Sequence, residues 1–313
     1  MATNKDSHLI SVIVPCYNEQ EVIGKFYERL QTVLNNIGHD YEILFINDGS
    51  CDNTKTSILD LKEKNKSIRL ISLSRNFGHQ IAVTAGLDYA EGDIVVIIDA
   101  DLQDPPEVIP EFLKYIKEGY NVVYGKRRVR KGEGFFKLFT AKIFYKMINR
   151  LTHNMIPKDT GDFRMIDKKV LDALREMKEK DRFLRGMVSW VGFKQKAVLY
   201  NRDARYAGTT HYPLKKMIIF AFNAITGFSS FPLHVIFWLG LIITIVATFL
   251  SLFVLLIRVL FPEYFIPSYS SILLVILFFG GVQIISLGVV GMYIARIFEM
   301  SKDRPLYLID NIE

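Results

Sequence analysis

The stretch DIVVIIDADLQDPPE, residues 93–107, decides the fold of this chain. It begins with a continuous apolar run, residues 94–98, and then becomes acidic at Asp99 and Asp101. A strand with one face in water would alternate apolar and polar residues, so this continuous run predicts a strand buried on both faces. The two carboxylates that follow it would repel each other unless a cation offsets their charge, and oxygen ligands of this kind suit Mg²⁺ or Mn²⁺. The segment therefore predicts a buried strand that ends at a cation site.

Four more apolar runs lie on either side of this strand. They are LISVIV (9–14), YEILFI (41–46), IRLISL (68–73) and NVVYG (121–125). Stretches with helical character, such as residues 21–35 and 80–90, separate them. This alternation is typical of an α/β domain in which helices cover both faces of a mainly parallel sheet. We therefore expect an α/β fold over residues 9–127.

Polar turns follow two other predicted strands, at Pro15–Glu19 and at Asn47–Ser50. The carboxyl ends of parallel strands meet at one edge of the sheet, where open α/β sheets bind their ligands. One such turn is weak support, because Asp, Asn and Gly also serve turns for backbone reasons alone. Three converging turns beside a cation site favour a phosphate-bearing ligand. With Asp48 available for a base edge and Asp99 for a ribose, the pattern indicates a nucleotide-sugar.

Two common nucleotide sites are excluded by their motifs. The chain has no Gly-x-x-x-x-Gly-Lys-[Ser/Thr] sequence, and no Gly-x-Gly-x-x-Gly follows its first strand. We therefore expect neither a P-loop nor a dinucleotide-binding fingerprint. Cys16 and Cys51 have no CxxC spacing and no His/Cys cluster beside them, so we also expect no disulfide framework and no zinc site.

Charge is distributed very unevenly along the chain. The protein has 39 Lys and Arg and 33 Asp and Glu residues, yet residues 233–298 contain only Arg258, Glu263 and Arg296. Two uncharged runs of 23 residues, 235–257 and 272–294, lie within this segment. Each would form a helix of roughly 34 Å, enough to cross a hydrocarbon core of about 30 Å. We expect two membrane spans, the alternative being two helices buried in a soluble core.

The basic residues around these spans predict their orientation. Lys215 and Lys216 precede the first span and Lys302 and Arg304 follow the second, whereas the connection balances Arg258 against Glu263. Positive residues favour the cytoplasmic side. The N-terminus also does not resemble a signal peptide. We expect a multi-pass protein of the cell (inner) membrane, with a cytoplasmic catalytic domain over residues 1–212 and a cytoplasmic tail over 299–313.

Two basic, aromatic segments connect the sheet domain with the spans. Residues 126–150 interleave phenylalanines with lysines and arginines, and residues 213–232 begin with Lys215 and Lys216 and continue with apolar residues. Both patterns are typical of amphipathic helices that lie on a membrane surface. For the first segment, a helix that packs its aromatic face on the sheet is the alternative. The net charge of +6 also suits nucleic acid, but no nucleic-acid-binding signature is present, so we expect no such partner.

Five segments of the chain resemble those of a known protein family. The segments VIVPCYNE (12–19), INDGSCDNT (46–54), LSRNFGHQ (73–80) continuing to residue 107, TGDFRMID (160–167) and RYAGTTHYPLKKM (205–217) resemble the family-2 glycosyltransferases that act on polyprenyl phosphates. Bactoprenol glucosyltransferases and dolichol-phosphate mannose synthases are examples. The resemblance covers about residues 8–305 and implies a GT-A fold, a divalent metal and a nucleotide-sugar donor. It further implies sugar transfer with inversion to a lipid phosphate.

Matching motifs imply individual site residues. The resemblance assigns the nucleotide to Pro15, Tyr17, Glu19 and Asp48, the metal and diphosphate to Asp99, Asp101 and Gln103, and the acceptor phosphate to Arg127, Arg128 and Lys137. Arg205 resembles the arginine that reaches the donor diphosphate or the acceptor phosphate. His211 stands where relatives commonly have lysine, and a histidine is only partly charged at neutral pH. A phosphate contact by that side chain is therefore in doubt.

The expected reaction is attack by the acceptor phosphate on the anomeric carbon, with catalysis assigned to Asp101 and Asp162. A phosphate monoester has a second pKa of about 6, so the nucleophile is largely dianionic at pH 7 and needs no strong base. Asp162 is expected to orient the substrates or assist as a base, or instead to cap a turn or pair with Arg164. We expect His79, His153 and His234 to be structural.

Two alternative functions accompany this interpretation. A processive polysaccharide synthase also joins such a domain to spans, but FLRGMVSW (183–190) lacks its Gln-x-x-Arg-Trp order. A non-catalytic scaffold or flippase component would not need Asp48, Asp99 and Asp101 together. UDP-glucose is our first choice of donor, undecaprenyl phosphate is the expected acceptor, and the resemblance suggests a homo-oligomer such as a tetramer.

Overall fold

The computed structural model describes residues 8–128, 160–180, 182–201, 231–260 and 269–313. The chain divides into two compact units, residues 1–211 together with 305–313, and residues 212–304. The predicted interfacial segment 213–232 lies almost wholly outside the described residues, as does most of the segment 126–150.

The first unit is built on an eight-stranded sheet. Its strands are β1 (Ile10–Cys16), β2 (Tyr41–Asn47), β3 (Ile68–Leu73), β4 (Ile94–Ile97), β5 (Val122–Arg127), β6 (Thr160–Asp167), β7 (Gln195–Tyr200) and β8 (Ile309–Ile312). Their order across the sheet is β7-β5-β6-β4-β1-β2-β3-β8. The five strands expected from the apolar runs are all present.

The sheet is mainly parallel, as expected, but it is mixed, because β6 and β8 run opposite to the other strands. β4, β1, β2 and β3 are parallel neighbours, and β5 and β7 are also parallel. β6 runs antiparallel between β4 and β5, and β8 runs antiparallel beside β3. The buried charges of Asp162 and Arg164 within β6 hid this strand from a search for apolar runs.

Helices cover both faces of the sheet, as predicted. They are α1 (Ile23–Ile37), α2 (Thr54–Lys64), α3 (His79–Tyr89), α4 (Ile109–Lys117), α5 (Lys168–Glu176) and α6 (Leu184–Trp190). Val12 and Val14 belong to one core cluster with Phe26 of α1, whereas Ile13 belongs to the other cluster with Val83 of α3. Successive residues of β1 thus point to opposite faces, and both faces are buried.

One glycine sets the distance between α3 and β1. A Cβ atom at Gly86 would lie 2.3 Å from Cγ2 of Ile13. Only a residue without a side chain permits this approach. The approach matters for the site because α3 begins at the edge where β1 and β4 end.

The C-terminal residues return to the sheet. Leu70 and Glu313 form two main-chain hydrogen bonds, and the hydroxyl of Tyr307 donates to Asp88 at 2.8 Å. The sequence predicts a tail over residues 299–313 and no strand there. Four of these residues form the edge strand β8.

The second unit contains two long apolar helices, α7 (Phe231–Leu260) and α8 (Tyr269–Ser301). They include the two predicted spans, residues 235–257 and 272–294. Within the described residues, α8 has one stretch, Phe278–Ser301, whose length and composition suffice to cross a membrane, while α7 has a shorter apolar stretch, Val235–Leu250. Large apolar side chains on both helices, such as Phe249 and Ile284, are exposed. That the two helices form a membrane hairpin stays a prediction.

Candidate active site

The ends of three neighbouring strands form one wall of a cavity of about 700 Å³. β1 pairs with β2 up to Cys16 and Asn47, and with β4 up to Ile13 and Ile97, so the following turns meet at one edge. Six of the predicted site residues line the cavity, namely Pro15, Tyr17, Glu19, Asp48, Asp99 and Asp101. The convergence expected from the strand ends is therefore observed.

Asp48 holds the loop that leads into α3. Its Oδ1 accepts a hydrogen bond from the N–H of Phe77 at 2.7 Å, and its Oδ2 accepts one from the N–H of Gly78 at 2.9 Å. Burial raises the pKa of Asp48, although these two N–H groups oppose that effect. The carboxylate thus fixes the loop while it lines the cavity.

Asp99 carries a buried oxygen that hydrogen bonds do not satisfy. Its Oδ1 is buried and has no hydrogen-bond partner among the described residues, and Nε2 of His79 lies 3.6 Å away. Burial raises the pKa of Asp99 to about 6; the charge of His79 opposes the rise, and the charges of Asp162, Asp104 and Asp101 add to it. A buried carboxylate oxygen normally accepts a hydrogen bond or faces a cation, and this oxygen has the ion pair with His79 but no hydrogen bond, so it can take a further ligand.

The chain turns sharply beside both acidic residues. Oδ1 of Asp101 accepts a hydrogen bond from the main-chain N–H of Gln103 at 3.1 Å, and the intervening Leu102 has a φ of 61°. Asn18, which also lines the cavity, has a φ of 56°. Such angles are uncommon for residues other than glycine and tend to occur at functional sites.

The donor set fits a hard divalent cation that other ligands complete. Asp99 and Asp101 offer carboxylate oxygens, which Mg²⁺ and Mn²⁺ prefer. Within the described residues, no group of three or more His, Cys, Asp or Glu side chains is arranged to hold a metal ion alone. The protein would therefore supply only part of the ligand shell. Gln103 contacts Asp101 through its main-chain N–H, and the expected role of Gln103 as a metal ligand stays a prediction.

Asp162 lies next to this cavity within a cluster of donors. Its Oδ1 accepts from Nε of Arg185 at 2.8 Å and lies 3.6 Å from Nη2 of Arg164. Its Oδ2 accepts from Nε2 of Gln80 at 3.1 Å and lies 3.3 Å from Nε2 of His79. Burial alone would raise the pKa of Asp162, but the hydrogen bond from His79 and the charges of Arg185 and Arg164 hold it well below the usual range. Both oxygens are occupied, so the carboxylate is a weak base.

His79 is a cavity residue for which the sequence predicted no functional role. It was expected to be structural, yet it lines the cavity and contacts both Asp99 and Asp162. Burial lowers the pKa of His79, but the hydrogen bond to Asp162 and the charges of Asp99 and Asp162 outweigh this and raise it to about 9. One signal was available, because a helix that follows a parallel strand begins at the ligand-binding edge.

The predicted acceptor residues separate into two groups. Arg127 hydrogen-bonds with Tyr200, whose hydroxyl donates to Asp104, and a Cβ at Gly161 would lie 2.9 Å from Nη2 of Arg127. Arg128 is exposed, and its main-chain N–H donates to the carbonyl of Tyr200 at 3.0 Å. The other group, Lys137, Arg205 and His211, lies outside the described residues.

Comparison with known proteins identifies the family. Residues 11–175 match the family described as Glycosyl transferase family 2, which covers more than half of the chain. The chain belongs to glycosyl transferase family 2. The matched residues of this family-2 chain run from β1 to α5 and include Asp48, Asp99, Asp101 and Asp162.

Curated relatives resemble the family-2 chain over almost its whole length. An "Uncharacterized glycosyltransferase YkcC" of Bacillus subtilis is 48% identical over 299 residues, which cover 96% of this chain and 92% of the relative. A "Bactoprenol glucosyl transferase" of Shigella phage SfV is 39% identical over 302 residues, which cover 96% and 98%. The family and these relatives show that the chain is a glycosyltransferase, as predicted.

A solved structure is similar in fold. A mycobacterial protein matches with a TM-score of 0.50 and 18% identity, covering 70% of this family-2 chain and 73% of the other. At this identity the likeness concerns the fold alone. Sheet, helices and family together give a GT-A-like glycosyltransferase fold, as expected.

Proposed function

We propose that this family-2 enzyme transfers a sugar, with inversion, from a nucleotide-sugar to a polyprenyl phosphate at the cytoplasmic face of the membrane. The observation that carries the proposal is the acidic cavity at the carboxyl edge of the sheet, where Asp99 presents a buried oxygen with no hydrogen-bond partner among the described residues. The names of relatives, such as bactoprenol glucosyl transferase, support the acceptor class and glucose. UDP-glucose and undecaprenyl phosphate are the proposed substrates.

In this proposal Asp99 and Asp101, with Gln103, hold Mg²⁺ or Mn²⁺. When bound, such an ion would neutralise negative charge on the departing diphosphate. Pro15, Tyr17 and Glu19 line the cavity together with Asp48 and are proposed to contact the nucleotide. Tyr17 is 46% exposed, which leaves its ring accessible to a base or a ribose.

The residues of the chain chiefly align the substrates and exclude water. The acceptor phosphate is already largely dianionic at neutral pH, so a strong base is unnecessary. The occupied oxygens of Asp162 agree with this, since a base needs a free lone pair within reach of the proton. We therefore assign Asp162 an orienting role. In a transfer reaction of this kind, alignment of the acceptor oxygen with the anomeric carbon supplies a large part of the rate enhancement over the uncatalysed reaction.

Basic residues are proposed to gather the acceptor phosphate. Arg127 ends β5 and Arg128 follows it, at the same edge of the sheet as the cavity-lining turns, because β5 is antiparallel to β6 and β6 is antiparallel to β4. Lys137 and Arg205 are proposed to join them. A lipid whose tail stays in the bilayer requires such residues near the headgroups.

We also propose two membrane spans, residues 235–257 and 272–294, with residues 1–212 and 299–313 in the cytoplasm. Support comes from β8, which belongs to the same sheet as β1. Since both ends of the intervening segment lie on one side of any membrane, the number of crossings must be even. A homo-oligomer such as a tetramer stays part of the proposal.

The test uses membranes that contain the protein and UDP-glucose with a radiolabelled sugar. We expect one labelled lipid that mild acid releases, formed only when Mg²⁺ or Mn²⁺ is present. A labelled polymer would instead indicate a processive polysaccharide synthase. No metal-dependent transfer with any nucleotide-sugar would indicate a non-catalytic scaffold or flippase component.

A further inference from the structure

His79 lies between two carboxylates that belong to different parts of the sheet. Its Nε2 is 3.6 Å from Oδ1 of Asp99, which follows β4, and 3.3 Å from Oδ2 of Asp162, which lies in β6. The same ring nitrogen therefore faces both acids. In either charge state of the ring, Nε2 must carry a hydrogen to donate to these oxygens.

We propose that His79 is a positioning residue that holds Asp99 and Asp162 in one arrangement and so couples the donor side of the site to the acceptor side. This inference rests on the proposed sugar transfer. Without the imidazole, the half-buried Asp99 and the buried Asp162 would face each other across the end of α3, and each carboxylate would move toward other donors. Asp99 would then no longer present its oxygen in the cavity.

The neighbours of His79 fix its place. Phe77 and Gly78 donate their N–H groups to Asp48, so the chain is anchored immediately before the ring. Gln80 donates to Asp162 at 3.1 Å, and its Oε1 accepts from the N–H of Leu184 at 3.0 Å. Residues 77–80 thus contact Asp48, Asp99 and Asp162, which come from three different strand regions.

The charge of the cavity gives a second reason for this placement. Six acidic side chains line it, and His79 is the one basic side chain among the lining residues in the described part of the chain. The six acids are Glu19, Glu21, Asp48, Asp52, Asp99 and Asp101. The imidazole of His79, close to Asp99 at the end of β4, keeps the carboxylate of Asp99 in place before a cation and a diphosphate bind.

The experiment compares His79→Leu, His79→Gln and the control His39→Leu in the purified full chain. Leucine removes the donor, whereas glutamine keeps an N–H. His39 precedes β2 at the opposite edge of the sheet, where it contacts Lys117. The measurements are kcat, the KM for each substrate, Mn²⁺-dependent binding of UDP and the melting temperature.

We expect His79→Leu to lower kcat and the affinity for UDP with Mn²⁺ by about 10- to 100-fold each, the usual effect of losing a charge-assisted hydrogen bond. His79→Gln should recover both quantities to within about 5-fold of wild type, because it restores one such bond. His39→Leu should match wild type. If His79 acts through Asp162, the double variant His79→Leu with Asp162→Asn should be as active as the less active of the two single variants.

Two outcomes would overturn the inference. One is a His79→Leu protein that binds UDP with Mn²⁺ and turns over like His39→Leu. The other is equal loss in His79→Leu and His79→Gln, with losses that multiply in the double variant. If wild type transfers no sugar, the proposed function fails, whereas UDP binding with Mn²⁺ still tests His79 separately.

Discussion

Leu70 and Glu313 form a reciprocal pair of main-chain hydrogen bonds, at 2.8 Å from Leu70 N to Glu313 O and at 2.9 Å from Glu313 N to Leu70 O. The last residue of the chain thus pairs with the middle of β3, in the sheet whose carboxyl edge holds Asp48. The proposed spans would therefore leave the sheet domain after β7 and return to it before β8 on the same side of a membrane. The pair therefore supports the proposal of an even number of membrane crossings.

The first prediction concerns that topology. Protease-accessible tags at the N-terminus and after Glu313 should both be cleaved in inside-out vesicles and both be protected in intact spheroplasts. A tag inserted at residue 263, in the connection between the two apolar helices, should show the opposite pattern. Terminal tags on opposite sides would contradict the pairing of β8 with β3.

The second prediction concerns the contact between α3 and β1. Gly86→Ala should destabilise the protein by about 1–3 kcal/mol, because its Cβ would overlap Ile13 in a packed core. Gly24→Ala, in α1, is the matched control, since a Cβ there meets nothing within 4 Å. That control should be neutral or more stable by up to about 1 kcal/mol. Urea unfolding of both variants measures the difference, and equal stabilities would contradict the observed packing.

The third prediction concerns Asp162 and pH. Asp162→Asn should cost about 3–5 kcal/mol, since it leaves the buried charge of Arg164 without its carboxylate and also removes the partner of the half-buried Arg185. The pKa of Asp162 is depressed in the folded protein, so its stabilising contribution is present above the unfolded value of about 3.9 and is lost as pH falls through the folded value. The difference between wild type and variant should be constant from pH 5 to 6 and shrink in stronger acid. It should also shrink as pH rises from about 6.5 to about 9, because Asp162 helps to raise the pKa of His79 over that range and the stabilising charge of His79 is lost there.

Urea unfolding in detergent, followed by the fluorescence of Trp190 in a Trp238→Phe background, measures this difference. Asp172→Asn is the control, because its contacts with Lys168 and Arg175 lie on the exposed face of α5 and should contribute less than about 1 kcal/mol. A difference that falls as pH rises from 5 to 6, below the range in which His79 titrates, would indicate an Asp162 with a raised pKa. That result would favour a general base.

The fourth prediction separates binding of the acceptor from support of the fold. Arg127→Ala should raise the KM for polyprenyl phosphate by about 10-fold or more, the effect of losing one charged contact, and should change the KM for the donor much less. Tyr200→Phe removes the hydroxyl that joins Arg127 to Asp104 but keeps the guanidinium. It should alter the KM for the acceptor by less than about 3-fold, below the effect of a typical lost charged contact. Equal effects of Arg127→Ala on both substrates would count against its proposed role.

The sequence predicted the central part of the fold because burial there leaves a simple pattern. The strands β1 to β5 are continuous apolar runs, and both of their faces are covered. β6 was missed because it carries Asp162 and Arg164 inside the protein, where paired charges replace apolar residues. β8 was missed because it is a short edge strand with exposed polar residues.

The candidate site was predictable where it depends on strand ends. Asp48, Asp99 and Asp101 follow parallel strands, so their convergence follows from topology alone. His79 was not predicted, since its role depends on the place of Asp162 in β6, and that strand had no apolar pattern. The contact of Arg127 with Tyr200 likewise depends on the pairing of β5 with β7, which connects distant parts of the chain.

The most direct measurement is sugar transfer by purified wild type, Asp101→Asn and Asp93→Asn, with UDP-glucose, undecaprenyl phosphate and Mn²⁺. Asp93 directly precedes β4, whereas Asp101 lies just beyond its other end, so the two variants remove the same charge at opposite edges of the sheet. We predict that Asp101→Asn lowers turnover by about 100-fold or more, because it removes a group that helps to stabilise developing charge. Asp93→Asn should keep wild-type turnover. Both proteins should insert into membranes normally. Wild-type turnover in Asp101→Asn, or the same loss in both variants, would contradict a divalent cation held at the end of β4.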